Sequence, residues 1–121
     1  MKTQFQGGPN IAMKVPPHQY EATVAFYRDV LQLAELPNQN EESTVFKFGE
    51  NNLWIDSVNT VSQAEIWLQV ITNNSSAAEN HLNNAGISRC DTIEPLGDEF
   101  DGYWISNPAS IIHLIDGVET H

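Results

Sequence analysis

Residues 10–32, NIAMKVPPHQYEATVAFYRDVLQ, and residues 65–87, EIWLQVITNNSSAAENHLNNAGI, carry one pattern twice at a constant offset of fifty-five positions. Each copy opens on a polar residue and then sets an apolar side chain at every second position. These are Ile11, Met13 and Val15 in the first copy, and Ile66, Leu68 and Val70 in the second. Such alternation is the period of a strand with one buried face. Each copy then passes through a polar turn into a helix-like run. Two similar halves imply a pseudo-symmetric fold, with a ligand site where the halves meet.

Working outward, Pro16 and Pro17 end the first strand, because neither can donate to a ladder. Tyr20 to Leu33 reads as an amphipathic helix, with Ala22, Ala25, Phe26, Val30 and Leu33 at spacings of three and four. Phe26 and Tyr27 read as helix-to-sheet packing. Pro37 and the polar run 38–42 form a loop, and Thr44–Phe48 and Leu53–Val58 pair through Gly49-Glu50-Asn51-Asn52. In the second half Glu65–Ile71 is a strand, Asn73 to Ser76 offer N-caps, and Gly86 ends the helix. Ile87–Thr92 reads as a short strand, Glu94 to Gly102 as an acidic loop, and Tyr103–Ser106 with Ile111–Ile115 as a closing hairpin. The reading is α+β, in the order βαβββ twice. It places a flexible tail at 1–9, a first module at 10–58, a linker at 59–64, a second module at 65–116 and a tail at 117–121.

A chain of 121 residues fits one domain, or two half-domains sharing a core. Five Lys and Arg stand against sixteen Asp and Glu, for a net charge of −11. Such a chain repels phosphate backbones, so nucleic acid and anionic membrane are poor partners, while metals and cationic small molecules are attracted; the alternative is that the charge serves solubility alone. No apolar run approaches the ~20 residues that span a bilayer, and MKTQFQGGPN lacks an apolar signal core. A cytoplasmic protein is expected. Cys90 has no partner for an internal disulfide, lies near no His in sequence, and reads as a buried structural thiol.

Four stretches resemble the vicinal oxygen chelate superfamily, which includes glyoxalase, bleomycin-resistance and extradiol-dioxygenase proteins. Phe26-Tyr27-Arg28-Asp29-Val30-Leu31-Gln32-Leu33 is similar to its helix-end motif, with Gln32 where glycine is common. Phe48-Gly49 through Leu53-Trp54-Ile55-Asp56 resembles its third and fourth strands. Glu65-Ile66-Trp67-Leu68-Gln69-Val70 resembles the opening strand of its second module. Tyr103 to Pro108, then Ile112-His113-Leu114-Ile115, resembles its closing hairpin. The resemblance implies that tandem βαβββ modules form a curved mixed sheet around a central cavity, and that the protein is a homodimer.

In many relatives four residues face that cavity, from the first and fourth strands of each module. Carried over by position, they are Asn10 and Asp56, then Glu65 and His113. The repeat agrees in part: Asn10 and Glu65 are related by the fifty-five offset, while Asp56 and His113 stand fifty-seven apart. Each is polar in a strand of apolar neighbours, and alternation sends such residues to the face away from the helices.

Asp56, Glu65 and His113, with the Asn10 amide, could hold a divalent cation: Mg or Mn through oxygen, Ni, Fe or Zn through the imidazole. A metal-dependent lyase or isomerase of glyoxalase type would then use Glu65 as the catalytic proton shuttle. Extradiol dioxygenase chemistry is disfavoured, since only one His is well placed. Alternatively Glu65 and His113 pair across a metal-free pocket that sequesters a cationic or aromatic small molecule, as bleomycin-resistance proteins do. Trp54 and Trp67 share the faces of Asp56 and Glu65. They either wall this site by stacking and cation–π contact or fill the core; Trp104 favours the core. His18, His81 and His121 read as surface residues.

Overall fold

A computed structural model describes residues 3–38 and 40–117. Gln39 of the first loop and the tail after Gly117, including His121, lie outside the described residues. The elements run β1 (Phe5–Val15), α1 (Pro17–Ala25), β2 (Glu35–Leu36), β3 (Ser43–Phe48), β4 (Asn51–Ser57), β5 (Glu65–Thr72), α2 (Ser75–Asn84), β6 (Gly102–Ser106) and β7 (Ile112–Asp116). The α+β class is borne out. Among the described residues no helix is long and apolar enough to cross a membrane.

Two compact units share the chain: Pro9–Trp67, and residues 3–8 with 68–117. The first unit orders its strands β2-β3-β4-β1, with β1 parallel to β4 and the other pairs antiparallel. The second orders them β5-β7-β6, with β5 parallel to β7 and β6 antiparallel to it. Each sheet is therefore mixed. The two-residue β2 completes the βαβββ order of the first unit; it is too short to show a period.

The core of the first unit follows from alternation. Val15 on β1, Phe46 on β3 and Leu53 and Ile55 on β4 meet Val24 of α1, with Ile11, Met13, Tyr20, Tyr27 and Leu33 packed around them. Phe46 and Ile55 are fully buried, and each such side chain stabilises the fold by roughly 1.5–3 kcal/mol.

Four sequence expectations need correction. Strand β1 begins at Phe5, so residues 5–9 of the expected tail are ladder. Gly8 allows it, because a Cβ there would overlap the Gln69 side chain. Helix α1 begins at Pro17, not Tyr20: a proline's missing N–H and fixed φ suit the first turn. The α-helix stops at Ala25 and Phe26–Val30 form a π turn, closed by the Leu31 N–H donating to the Phe26 carbonyl at 3.0 Å. Within it Tyr27 packs on Phe46, at 6.0 Å between ring centroids, while Phe26 is exposed.

The fourth correction concerns Ile87–Thr92, which is not a strand. Arg89 makes one bridge to Ile105 and Asp91–Ile93 form a 3-10 turn. The Asp91 carboxylate accepts the Trp104 backbone N–H at 3.2 Å, so a side chain replaces a ladder bond. Helix α2 begins as expected: Asn74 caps it by accepting the Ala77 N–H at 3.0 Å, and Gly86 follows its end at φ +86°.

Candidate functional site

Register in the first unit places the polar residues of three strands on one face, opposite the core. Along β1 and β4, Asn10 pairs with Asn52, Ala12 with Trp54 and Lys14 with Asp56. Strand β3 brings Ser43 beside Asp56 and Val45 beside Trp54. Directly paired residues project to the same side of a sheet, so this face carries Asn10, Lys14, Ser43, Trp54 and Asp56 together.

Lys14 is the centre of that face. It is 4% exposed, its Nζ donates to Asp56 Oδ2 at 2.8 Å, and it lies 4.4 Å from the centroid of the Trp67 ring. Asp56 Oδ1 accepts the Ser43 hydroxyl at 2.6 Å. Trp67, itself 4% exposed, donates its indole N–H to Glu65 Oε1 at 2.9 Å. Nearby, Asn10 Oδ1 accepts two N–H groups, from Asn52 at 3.2 Å and from the Trp54 indole at 3.0 Å. A buried ion pair needs its remaining hydrogen-bonding positions satisfied. Here no buried side-chain polar atom among the described residues lacks a partner.

Trp67 is buried, with its ring over the Lys14 ammonium. Trp54 is half-buried and fixed by its indole bond to Asn10.

His113 belongs to the second unit, on strand β7. Strand β7 pairs Leu68 with His113 and Gln69 with Leu114. His113 therefore shares the face of Leu68, Ile115 and Tyr103, and Gln69 projects from the other. Its Nδ1 lies 3.0 Å from the Ile111 carbonyl. Because Met13 pairs with Ile55 as Leu68 pairs with His113, the structural counterpart of His113 is Ile55, not Asp56. The fifty-seven offset is one residue short, and a slip of one reverses the face.

The residues do not fit a divalent cation. Both Asp56 oxygens are committed, one to an ammonium, and Asn10 Oδ1 already accepts two donors. Among the described residues no three His, Cys, Asp or Glu side chains gather as metal ligands.

The second unit has its own polar features. Gln69, fifty-five positions after Lys14, donates to Asp116 Oδ2 at 3.0 Å. Arg89 pairs with Asp91 at 2.7 Å and Glu79 at 3.3 Å while lying over Tyr103. Burial, then the Glu79 charge, pushes the Tyr103 phenol up to about 12, and its hydroxyl donates to the Ser75 carbonyl. Burial, then Asp91, also pushes the Cys90 thiol up, which disfavours the reactive thiolate.

The backbone is similar to several solved structures. The Mn(II)-bound glyoxalase from Novosphingobium aromaticivorans superposes with a TM-score of 0.65 at 13% identity, over 95% of this chain and 40% of that one. A glyoxalase/bleomycin resistance protein/dioxygenase superfamily member from Vibrio splendidus gives 0.56 at 10% identity, over 87% and 94%. The homoprotocatechuate 2,3-dioxygenase from Arthrobacter globiformis gives 0.59 at 16% identity, over 91% and 35%.

The chain has the vicinal oxygen chelate fold.

That likeness is one of fold alone at these identities. The chain spans less than half the length of the Novosphingobium glyoxalase. No family model and no curated protein matches it in sequence.

Within this vicinal oxygen chelate fold, sequence reasoning missed Lys14 and Ser43. A signal for Lys14 existed: it is one of only five basic residues and stands four after Asn10 in an alternating strand, hence on the same face. Ser43 gave none, because its contact with Asp56 depends on hairpin register.

Proposed function

We propose that this chain is a metal-independent small-molecule-binding protein, whose ligand is contacted on the strand face carrying Asn10, Trp54 and Asp56. The observation that carries the reading is the Lys14–Asp56 ion pair with Ser43 on the second carboxylate oxygen. That carboxylate, the best-placed oxygen donor of the expected metal set, is neutralised from within. A cationic or aromatic ligand is supported by the net charge of −11 and by the half-buried Trp54 indole. Glu65 is exposed and accepts the Trp67 indole N–H, and it serves as a contact for a ligand cation. Homodimerisation belongs to the same proposal and is supported by the exposed Phe26, Val30 and Leu31 beyond α1.

Metal analysis of protein purified without chelator or metal-affinity tag, with a thermal-shift panel, tests this. Mg, Mn, Fe, Ni and Zn should leave the melting temperature where sodium chloride does. A cationic or aromatic compound at 100 times its dissociation constant should stabilise by about 2.7 kcal/mol. Stoichiometric metal that is lost in Asp56→Asn would overturn the reading and restore the glyoxalase-type one.

A further inference from the structure

We infer that Lys47 sets the ligand class of the Trp54 face: an aromatic carboxylate, with its ring on Trp54 and its acid group paired with the Lys47 ammonium. The inference rests on the metal-independent reading above. Of the ligand chemistries allowed there it takes the aromatic one and adds an anionic end.

Strand register divides the face into three rows. Lys47 pairs with Asn52 and Asn52 with Asn10, which makes a row of one ammonium and two amides. Two residues along, Leu36, Val45, Trp54 and Ala12 are paired in turn across all four strands of the first unit, an apolar row. In the third row Ser43, Asp56 and Lys14 are committed to one another, at 2.6 and 2.8 Å.

The first row holds the charge that remains available. Lys14, Arg28 and Arg89 each pair with a carboxylate, whereas among the described residues Lys47 is exposed and enters no ion pair. In a chain with sixteen Asp and Glu, an ammonium left unneutralised on the face of a half-buried indole is placed for an anion from outside. Lys47 stands diagonal to Trp54 on adjacent strands, a separation of roughly 7–8 Å that a long side chain spans. The Trp54 indole bond to Asn10, at 3.0 Å, fixes the ring as a stacking surface. Asn52 gives one amide N–H to Asn10 Oδ1, and its second can meet a carboxylate beside Lys47. A planar acid therefore finds complementary groups in two adjacent rows.

Sodium benzoate and benzylammonium chloride, similar rings of opposite charge, are the probes, titrated into isotope-labelled full-length protein and followed by NMR. Benzoate should shift the Trp54 indole and Asn52 amide resonances saturably and bind the more tightly of the two. Lys47→Gln, a substitution at an exposed position, should weaken benzoate about threefold to tenfold at unchanged Tm. Lys47→Arg should retain it, and Lys47→Glu should reverse the preference between the probes. Trp54→Leu should weaken both probes. Tighter binding of benzylammonium by wild type, benzoate affinity unmoved by Lys47→Glu, or binding of neither probe would overturn this inference and leave the metal-independent reading standing. Stoichiometric manganese(II) bound through Asp56 would overturn that reading itself.

Discussion

Lys14 and Asp56, forty-two positions apart in sequence, face each other across parallel strands with Nζ 2.8 Å from Oδ2 and less than one sixth of either side chain exposed. This pair sits where the resemblance placed a metal ligand. Taking two charges out of water is costly, and the contact is sustained because Ser43 and Trp67 complete its surroundings.

Breaking one partner should cost more than removing both. Asp56→Ala leaves a buried ammonium without its counter-ion and should destabilise by about 3–5 kcal/mol, whereas the double variant Lys14→Met/Asp56→Leu should fall well short of the summed single effects. Urea unfolding of the four proteins in a double-mutant cycle checks this. Additive losses would show that the pair is not coupled.

Gln32 has φ +58°, in the left-handed region where a side chain is strained. The resemblance marked this position as one where glycine is common, and the geometry supplies the reason: the backbone takes a positive φ there, just after the π turn. Gln32→Gly should stabilise the protein by up to about 1 kcal/mol, read as a rise in urea midpoint at unchanged slope.

Tyr103 should make stability fall at alkaline pH. Its phenol is raised from 10.0 to about 12 in the folded protein, so the folded state holds the proton more tightly than the unfolded chain. The resulting stability is fully present below pH 10 and is lost as pH rises through about 12. Tyr103→Phe should flatten that part of the profile. An unchanged slope in the variant would assign the loss to other groups.

Two structural substitutions calibrate these values. Ile55 is fully buried in the core of the first unit, and Ile55→Ala should cost about 2–5 kcal/mol. Asn74→Ala removes the α2 cap and should cost about 0.5–2 kcal/mol. Chemical denaturation measures both. A loss from Asn74→Ala as large as that from Ile55→Ala would mean that the cap does more than satisfy one N–H.

The α+β class, the strands β3 to β7, an α2 cap among Asn73 to Ser76 and the stop at Gly86 were legible in the sequence, because each depends on residues a few positions apart. Period-two alternation named Val15 and Ile55 for the core, and local turn chemistry named the ends of α2. Alternation also put Asn10, Trp54 and Asp56 on the face away from the core, where the structure has them. Which of those polar groups meet was decided by tertiary structure. A one-residue difference in register made Ile55, not Asp56, the counterpart of His113, and strand pairing brought Lys14 to Asp56 across forty-two residues. Local pattern fixes which side of a strand a residue occupies. Only the ladder between strands decides what stands opposite it, and here that was an ammonium.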